Sequence, residues 1–364
     1  MKDKINKLFY ILPFSVNEPG GKSLGSRNKY KSFSKIFNTK LISPRNKSIT
    51  HRLFFIFYIE FFMLFLVISS TRYKNIFFTR GFVGILASIY LKLFSNNLFI
   101  REVHAAPGEY KVLQGNSLKK FLIFVYEKTS FFIDSLADLR IFNHPNLENF
   151  YKQNGVFNEY DLTLYNGASI KEDSMSVQEA REMLGLELNK TILVFTGSVS
   201  SWHGIEDLVA LQDEFEKKYD NIQIVVGGGE IPKEHKHKII NLYPLDEIGC
   251  NNLIIASDAC LLPIKNNRIS PGSPLKLYQY LLSSKPVITQ QDVVGYADEV
   301  KKFDAGLIVN FHKPSETRVK IKEFIKNIEH ISADLKLNKL DMKITWDDRV
   351  NEIQKSIYNH RKLK

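Results

Sequence analysis

Five short segments of this sequence hold residue types and spacings that could do chemistry. In Thr196–Gly204, TGSVSSWHG, an apolar run ends at Gly197 and a helical pattern opens at Ile205. Backbone N–H groups of such a turn, with Ser198, His203 and Gly204 beside them, form an anion site. Val225–Gly229 reads VVGGG, and glycines such as Gly227 and Gly228 at a strand end let a ligand approach the backbone closely. Ser270–Pro286 reads SPGSPLKLYQYLLSSKP. Pro274 suits the first position of a helix, and N–H groups around Ser273 and Leu275 could hold a diphosphate. Lys276 falls in the first turn, where the helix dipole disfavours a cation unless an anion is bound; Gln279 follows one turn later. Arg101–His104, REVH, ends a strand pattern, and a neutral His104 could hydrogen-bond a sugar hydroxyl. Lys7–Gly21 runs from a strand into Pro19-Gly20-Gly21, and Gly20 and Gly21 could admit an acceptor or a phosphate. Each segment also has an ordinary reading: a βα turn with a surface histidine, a flexible turn, a lysine on an amphipathic helix, a structural histidine, and a loop needing unusual backbone angles.

The elements that must position these residues alternate. Strand patterns in the first half fall at 8–13, 75–80, 98–104, 139–143 and 162–165, with helical patterns at 82–94, 118–136 and 146–153 and a further one after Gly21. In the second half, strands fall at 191–196, 222–226, 239–242, 259–263, 286–289 and 306–309. Helices fall at 205–218, 248–256, 274–282 and 319–331. Strands alternating with helices predict α/β architecture with parallel sheets built from βαβ units. A polar, strand-poor stretch over 168–177 separates two such sets. At 364 residues the chain has the length of two domains. Two sheets of this kind face each other across a cleft and bind ligands at the C-terminal ends of their strands.

Charge is uneven. Residues 1–170 carry 23 Lys and Arg against 11 Asp and Glu, while the remainder carries 27 against 28. A basic half beside a neutral half points to an anionic partner. The apolar run 53–68, LFFIFYIEFFMLFLVI, favours a lipid surface over nucleic acid. That run is interrupted by Glu60 and is shorter than the ~20 residues a spanning helix needs, so a core or interfacial helix is expected. The basic N-terminus has too short an apolar stretch for a signal peptide. Only two cysteines, Cys250 and Cys260, are present, and their spacing fits neither a disulfide framework nor a metal pair.

Taken in order, these segments resemble glycosyltransferase family 4, with its GT-B fold. FTGSVSSWHGIEDLVAL resembles that family's first strand-turn-helix of the second domain, SDACLLPI the strand before the donor loop, and SPLKLYQYLLSSKPVI the donor-binding segment. ITWDDRVNEI, with Trp346, resembles the C-terminal helix that crosses back to the first domain. In the N-terminal half the likeness rests on the Gly-Gly turn, FFTR, REVH, LADLRIFNHP and LTLYNGAS. Five places depart from the pattern. Ser198 and His203 stand where an arginine and a lysine are common. Pro271 and Gln279 stand where two glutamates are typical, and Asn166-Gly167-Ala168-Ser169 replaces Asn-Gly-Val-Asp.

The resemblance implies two Rossmann-like parallel-sheet domains. Residues 1–170 would bind the acceptor and face a membrane, residues 171–340 would bind the donor, and residues 341–364 would form the returning helix. It implies transfer of a sugar from a nucleotide-diphosphate sugar with retained anomeric configuration, without a metal or other cofactor. Lys276, N–H groups at Ser273–Leu275 and the Ser198–Gly204 turn would stabilise the departing diphosphate; His104 would position or polarise the sugar, and Gln279 would hold the ribose. The expected acceptor is a saccharide or lipid-linked saccharide at the inner face of the cell membrane, in cell-surface polysaccharide synthesis. Two rival expectations are an inactive GT-B protein that binds a glycan or a partner enzyme, and a sugar-nucleotide epimerase of the same architecture.

Overall fold

The computed structural model describes the chain apart from residues 1–6, 19, 45–48, 71–73, 82–83, 107–116, 171–174, 267–274 and 363–364. Two compact units form. One holds the described chain through Gly167 together with the last helix from Trp346; the other holds the described residues from Ala168 to Thr345.

The first unit runs β1 (Leu8–Ile11), α1 (Gly21–Ile36), β2 (Thr39–Ile42), α2 (Ile49–Ser69), β3 (Ile76–Arg80), α3 (Ile85–Phe94), β4 (Leu98–Val103), α4 (Ser117–Leu136), β5 (Leu139–Phe142), α5 (Pro145–Gln153) and β6 (Leu162–Thr163). Its six strands are parallel, in the order β2-β1-β3-β4-β5-β6. Side chains on a strand alternate between faces, and the core follows that rule. Leu8 and Tyr10 pack with Phe33, Phe78 and Ile100 on one face, while Phe9 and Ile11 pack with Phe77 and Phe99 on the other.

The second unit runs α6 (Val177–Leu184), β7 (Thr191–Gly197), α7 (Ile205–Lys217), β8 (Ile222–Gly228), β9 (Ile240–Leu242), α8 (Glu247–Ala256), β10 (Ala259–Leu262), α9 (Leu275–Leu282), β11 (Val287–Gln290), α10 (Ala297–Lys302), β12 (Gly306–Val309), α11 (Pro314–Ile325) and α12 (Ile328–Asn338). This sheet is also parallel, ordered β12-β11-β10-β7-β8-β9. Its two faces are filled by Leu193, Phe195 and Ile224 on one side and by Ile192, Val194 and Val225 on the other. Ala168 bridges Thr345, so the two ends of the unit lie side by side. The chain then enters α13 (Trp346–Lys362), whose Val350, Ile353 and Ile357 pack into the first unit's core beside α1.

Several elements differ from the sequence reading. Strand β2 and helix α6 were not expected. Helix α6 is set by a capping box in which Ser176 accepts from the Glu179 N–H and the Glu179 carboxylate takes the Ser176 N–H. The helix expected over 319–331 is two helices, α11 opening at Pro314 and α12 at Ile328. The apolar run lies within the longer α2, where Glu60 does not interrupt a face. Its carboxylate receives the backbone N–H groups of Ile85 at 2.7 Å and Leu86 at 2.6 Å and so caps α3. Among the described residues, no helix is long and apolar enough to cross a membrane.

Candidate functional site

Two clusters emerge, each within one unit. In the second unit, β7 delivers Gly197 to the turn before α7, and α9 delivers Lys276. The Lys276 Nζ lies 3.2 Å from His203 Nε2 and 4.0 Å from the centroid of the Phe195 ring. Gly197 makes room for it. A Cβ there would meet Lys276 Cε at 2.8 Å, and the residue holds φ +114°, a left-handed angle that suits glycine. Burial pulls the Lys276 ammonium down to about 7. Among the described residues no carboxylate pairs with it. His203 is buried between the Phe195 and Trp202 rings. Accepting from an ammonium at Nε2 requires a neutral imidazole with its proton on Nδ1.

The other residues expected to bind a donor divide into two groups. Gly204, at φ +52°, opens α7, and a Cβ there would meet the Pro263 carbonyl oxygen at 2.2 Å. Gly228, at φ +96°, lies against Gly197, where a Cβ would come within 3.2 Å of the Gly197 nitrogen, so the ends of β7 and β8 interlock. Ser198 is exposed beside this turn. Leu275 opens α9, with Gln279 half-buried one turn after Lys276. Gly227 has a packing reason to be bare: a Cβ would strike Leu253 Cδ2 at 2.2 Å, so its open face admits α8. Ser273 and Pro274 lie outside the described residues.

In the first unit, the C-terminal ends of β3 and β4 and the start of α1 border a cavity of about 160 Å³. Gly20, at φ +111°, precedes α1 with open space where a Cβ would be, and Gly21 begins the helix; both are exposed. Lys22 and Arg80 line the cavity and lie 3.7 Å and 5.3 Å from the Phe14 ring centroid. His104 lies there too, but both its ring nitrogens are engaged. Nε2 is 2.7 Å from Glu102 Oε1, and the Asn143 amide Nδ2 lies 2.8 Å from Nδ1. Asn143 donating to Nδ1 fixes the tautomer with the proton on Nε2, directed at Glu102. Burial, with the Arg80 charge, pulls His104 down to about 4, so the ring is neutral at pH 7. The hydroxyl-binding role expected of His104 therefore meets a ring already committed to two protein partners.

Glu102 itself was missed. It is buried, and its Oε1 also takes the ammonium of Lys29, which is buried on α1 and lies 5.2 Å from the Trp346 ring. Burial alone would raise the Glu102 carboxyl, but Lys29 and then His104 hold it well below the usual carboxylate range. The signal was in the sequence, because Glu102 and His104 are two residues apart on a strand and so share a face. Arg101 lies on the other face of β4, in a network with Asp134 at 2.6 Å, Thr79 at 3.1 Å and Tyr151 behind Asp134 at 2.6 Å, and this network also borders the cavity.

No protein-family model matches this sequence, and no curated protein does. Solved structures do. A sucrose-phosphate synthase from Thermosynechococcus elongatus superimposes with TM-score 0.69 at 14% identity, covering 99% of this chain and 100% of the other. A glycosyltransferase from Rickettsia africae gives TM-score 0.71 at 13% identity over 99% and 100%. WaaG, a glycosyltransferase involved in lipopolysaccharide biosynthesis, gives TM-score 0.64 at 12% identity over 91% and 95%. With the two parallel six-stranded sheets, these likenesses place the chain in the GT-B fold, with two Rossmann-like units.

Proposed function

We propose that this protein is a retaining glycosyltransferase that moves a sugar from a nucleotide-diphosphate sugar to a saccharide or lipid-linked acceptor at the inner face of a membrane. The observation that carries the reading is Lys276: a half-buried ammonium at the start of α9 that meets an imidazole and an aromatic ring but no carboxylate among the described residues. A cation so placed is stabilised by an anionic ligand. In glycosyl transfer, negative charge grows on the departing diphosphate as the bond to the sugar breaks. A cation fixed beforehand, with the N–H groups of the Gly197–Gly204 turn, lowers that barrier without reorganising. His203 keeps the ammonium aimed, and Gln279 offers an amide to a ribose hydroxyl. No step in this scheme calls on a metal ion. The wider GT-B likeness supports the class, since several of those proteins are named for sugar transfer.

The membrane half of the proposal rests on the three helices that cover one face of the first sheet. Their inner residues, such as Ile59, Met63, Ala87, Leu91 and Ile133, fill the core. Their outer residues include Phe61, Phe65, Leu93, Phe94, Phe121 and Phe124, all at least half exposed. The described acids of α2 and α4 turn away from that surface: Glu60 caps α3, while Glu127 and Asp134 are buried. Among the described side chains, those outside are chiefly aromatic and aliphatic, with Lys92 and Lys128 exposed, which suits an anionic lipid interface. Synthesis of a cell-surface polysaccharide is the role that such an acceptor would serve.

A screen of UDP-, GDP- and ADP-sugars for turnover, with Lys276→Ala beside the wild type, tests the reading. Turnover of one donor, lost in the variant, supports it; no turnover or binding of any donor sinks it. A second reading is favoured by Gln279, whose amide cannot act as a carboxylate: an inactive GT-B protein that binds donor or glycan as a partner subunit. Donor binding without turnover selects that reading.

A further inference from the structure

The first-unit cavity contains hydrogen-bonding capacity that the protein leaves unused. Glu102 Oε1 is saturated by Lys29 and His104, yet its Oε2 is buried and has no partner among the described residues. Ser130, from α4 on the cavity wall, also has a buried Oγ without a partner, and so does Asn143 at its Oδ1, on the far side of His104. Two of the three atoms are pure acceptors and the third can accept. Leaving such groups buried and unmet is costly, so three of them on and beside the wall of one cavity mark a place completed by donors from outside. Lys29 is what keeps Glu102 ionised there: its ammonium is itself buried, beside the Trp346 ring, and its hydrogen bond to Oε1 leaves Oε2 unused.

We propose that Glu102, with Ser130 contributing from the α4 side of the wall, is the specificity-determining group of a sugar-ring subsite in this cavity, accepting a ring hydroxyl at Oε2 while Lys29, His104 and Asn143 hold the carboxylate and imidazole in place. The ligand class is a polyhydroxylated ring with a hydroxyl donor facing β4; a ring lacking that hydroxyl leaves the carboxylate unmet and is rejected. This deepens the glycosyl-transfer reading by naming what chooses the sugar, and it rests on that reading only for the identity of the reaction.

The test uses the full chain. Saturation-transfer NMR is recorded with glucose, galactose, mannose and N-acetylglucosamine, and with monodeoxy analogues of any that bind. The proteins compared are the wild type, Glu102→Gln and Ser130→Ala, each checked for an unchanged fold by circular dichroism. The expected result is that at least one hexose binds the wild type and that one deoxy analogue binds about tenfold more weakly or worse. In Glu102→Gln that preference falls toward unity, because an amide accepts less strongly than a carboxylate. Ser130→Ala leaves the Lys29–Glu102 pair intact, so it is expected to weaken hexose binding even where Glu102→Gln does not fold. No hexose binding to the wild type, or unchanged affinity and hydroxyl preference in the folded variants, overturns the proposal. Hexose selection without donor turnover leaves the subsite standing and removes the transfer reading. Turnover with an unchanged preference in Glu102→Gln does the reverse.

Discussion

Replacing Gly197 by alanine is the sharpest perturbation of the donor cluster, because the added atom is small and its consequences can be worked out. The new Cβ would sit 2.8 Å from Lys276 Cε and 3.2 Å from Nζ, so the lysine head must leave its place over Phe195. The backbone at φ +114° adds strain for any residue with a side chain, roughly 1–3 kcal/mol. For a unit of this size each kcal/mol lowers the melting temperature by about 2–4 °C. Displacing the ammonium removes a charged hydrogen bond to the ligand, worth about 1.5–3 kcal/mol, or roughly a 10- to 150-fold loss of affinity. Calorimetric titration with UDP, GDP and ADP reads this directly. The double variant Gly197→Ala/Lys276→Ala should bind no more weakly than Lys276→Ala alone, because both changes remove the same contact. A folded Gly197→Ala protein that binds nucleoside diphosphate as tightly as the wild type refutes the placement of Lys276. So does a wild type that binds none.

Three further outcomes are expected. Burial pulls Lys276 down to about 7 in the free protein, and a bound anion would hold its proton. Above pH 7 binding must therefore take up a proton, so nucleotide affinity falls as pH rises, by at most about tenfold per unit. Titrations in buffers of different ionisation enthalpy measure the uptake, and affinity that is flat with pH contradicts it. Gln279→Glu should preserve or raise turnover, since a carboxylate accepts a ribose hydroxyl more strongly; steady-state kinetics showing loss of most activity would remove Gln279 from the ribose. Co-sedimentation with anionic vesicles should weaken but persist as salt rises, because the lysines are screened and the phenylalanines are not. No sedimentation at low salt counts against membrane docking, and resistance to both high salt and alkaline carbonate indicates insertion.

The regular framework was legible because buried parallel strands are written as apolar runs: TILVFTG, IQIVVGG and LFIREV each became a strand. Strand β2 escaped because TKLI is short and half-exposed, without an apolar run to read. Helix α6 escaped although Ser176 and Glu179 display a capping box, since the surrounding polarity resembled a linker. The turn at Gly197 and the lysine at 276 were readable as separate local features. Their meeting was not, because they stand 79 positions apart and only the β7–β10 pairing brings them together. Glu60 was taken as a flaw in an apolar run, and its function as the cap of α3 depends on a partner 25 residues away. Gly227 and Gly228 look alike in sequence. One is bare to admit Leu253 and the other to let two strand ends interlock, a difference that only packing reveals.

The return of α13 to the first unit fixes an order of events during synthesis. The face of the first sheet that carries Phe33, Phe78 and Ile100 is completed by Val350, Ile353 and Ile357, which the ribosome adds roughly 180 residues after Gly167. At about 5–20 residues per second, that face waits on the order of 10–40 seconds for its last layer. The second unit, whose ends pair at Ala168 and Thr345, receives all its strands within that interval and can close before α13 arrives. The first-made half is thus the last to mature. A chain halted at Thr345 should bind a hydrophobic dye through the uncovered sheet, and one extended to Lys362 should not; equal dye binding by both would show that the sheet closes without α13.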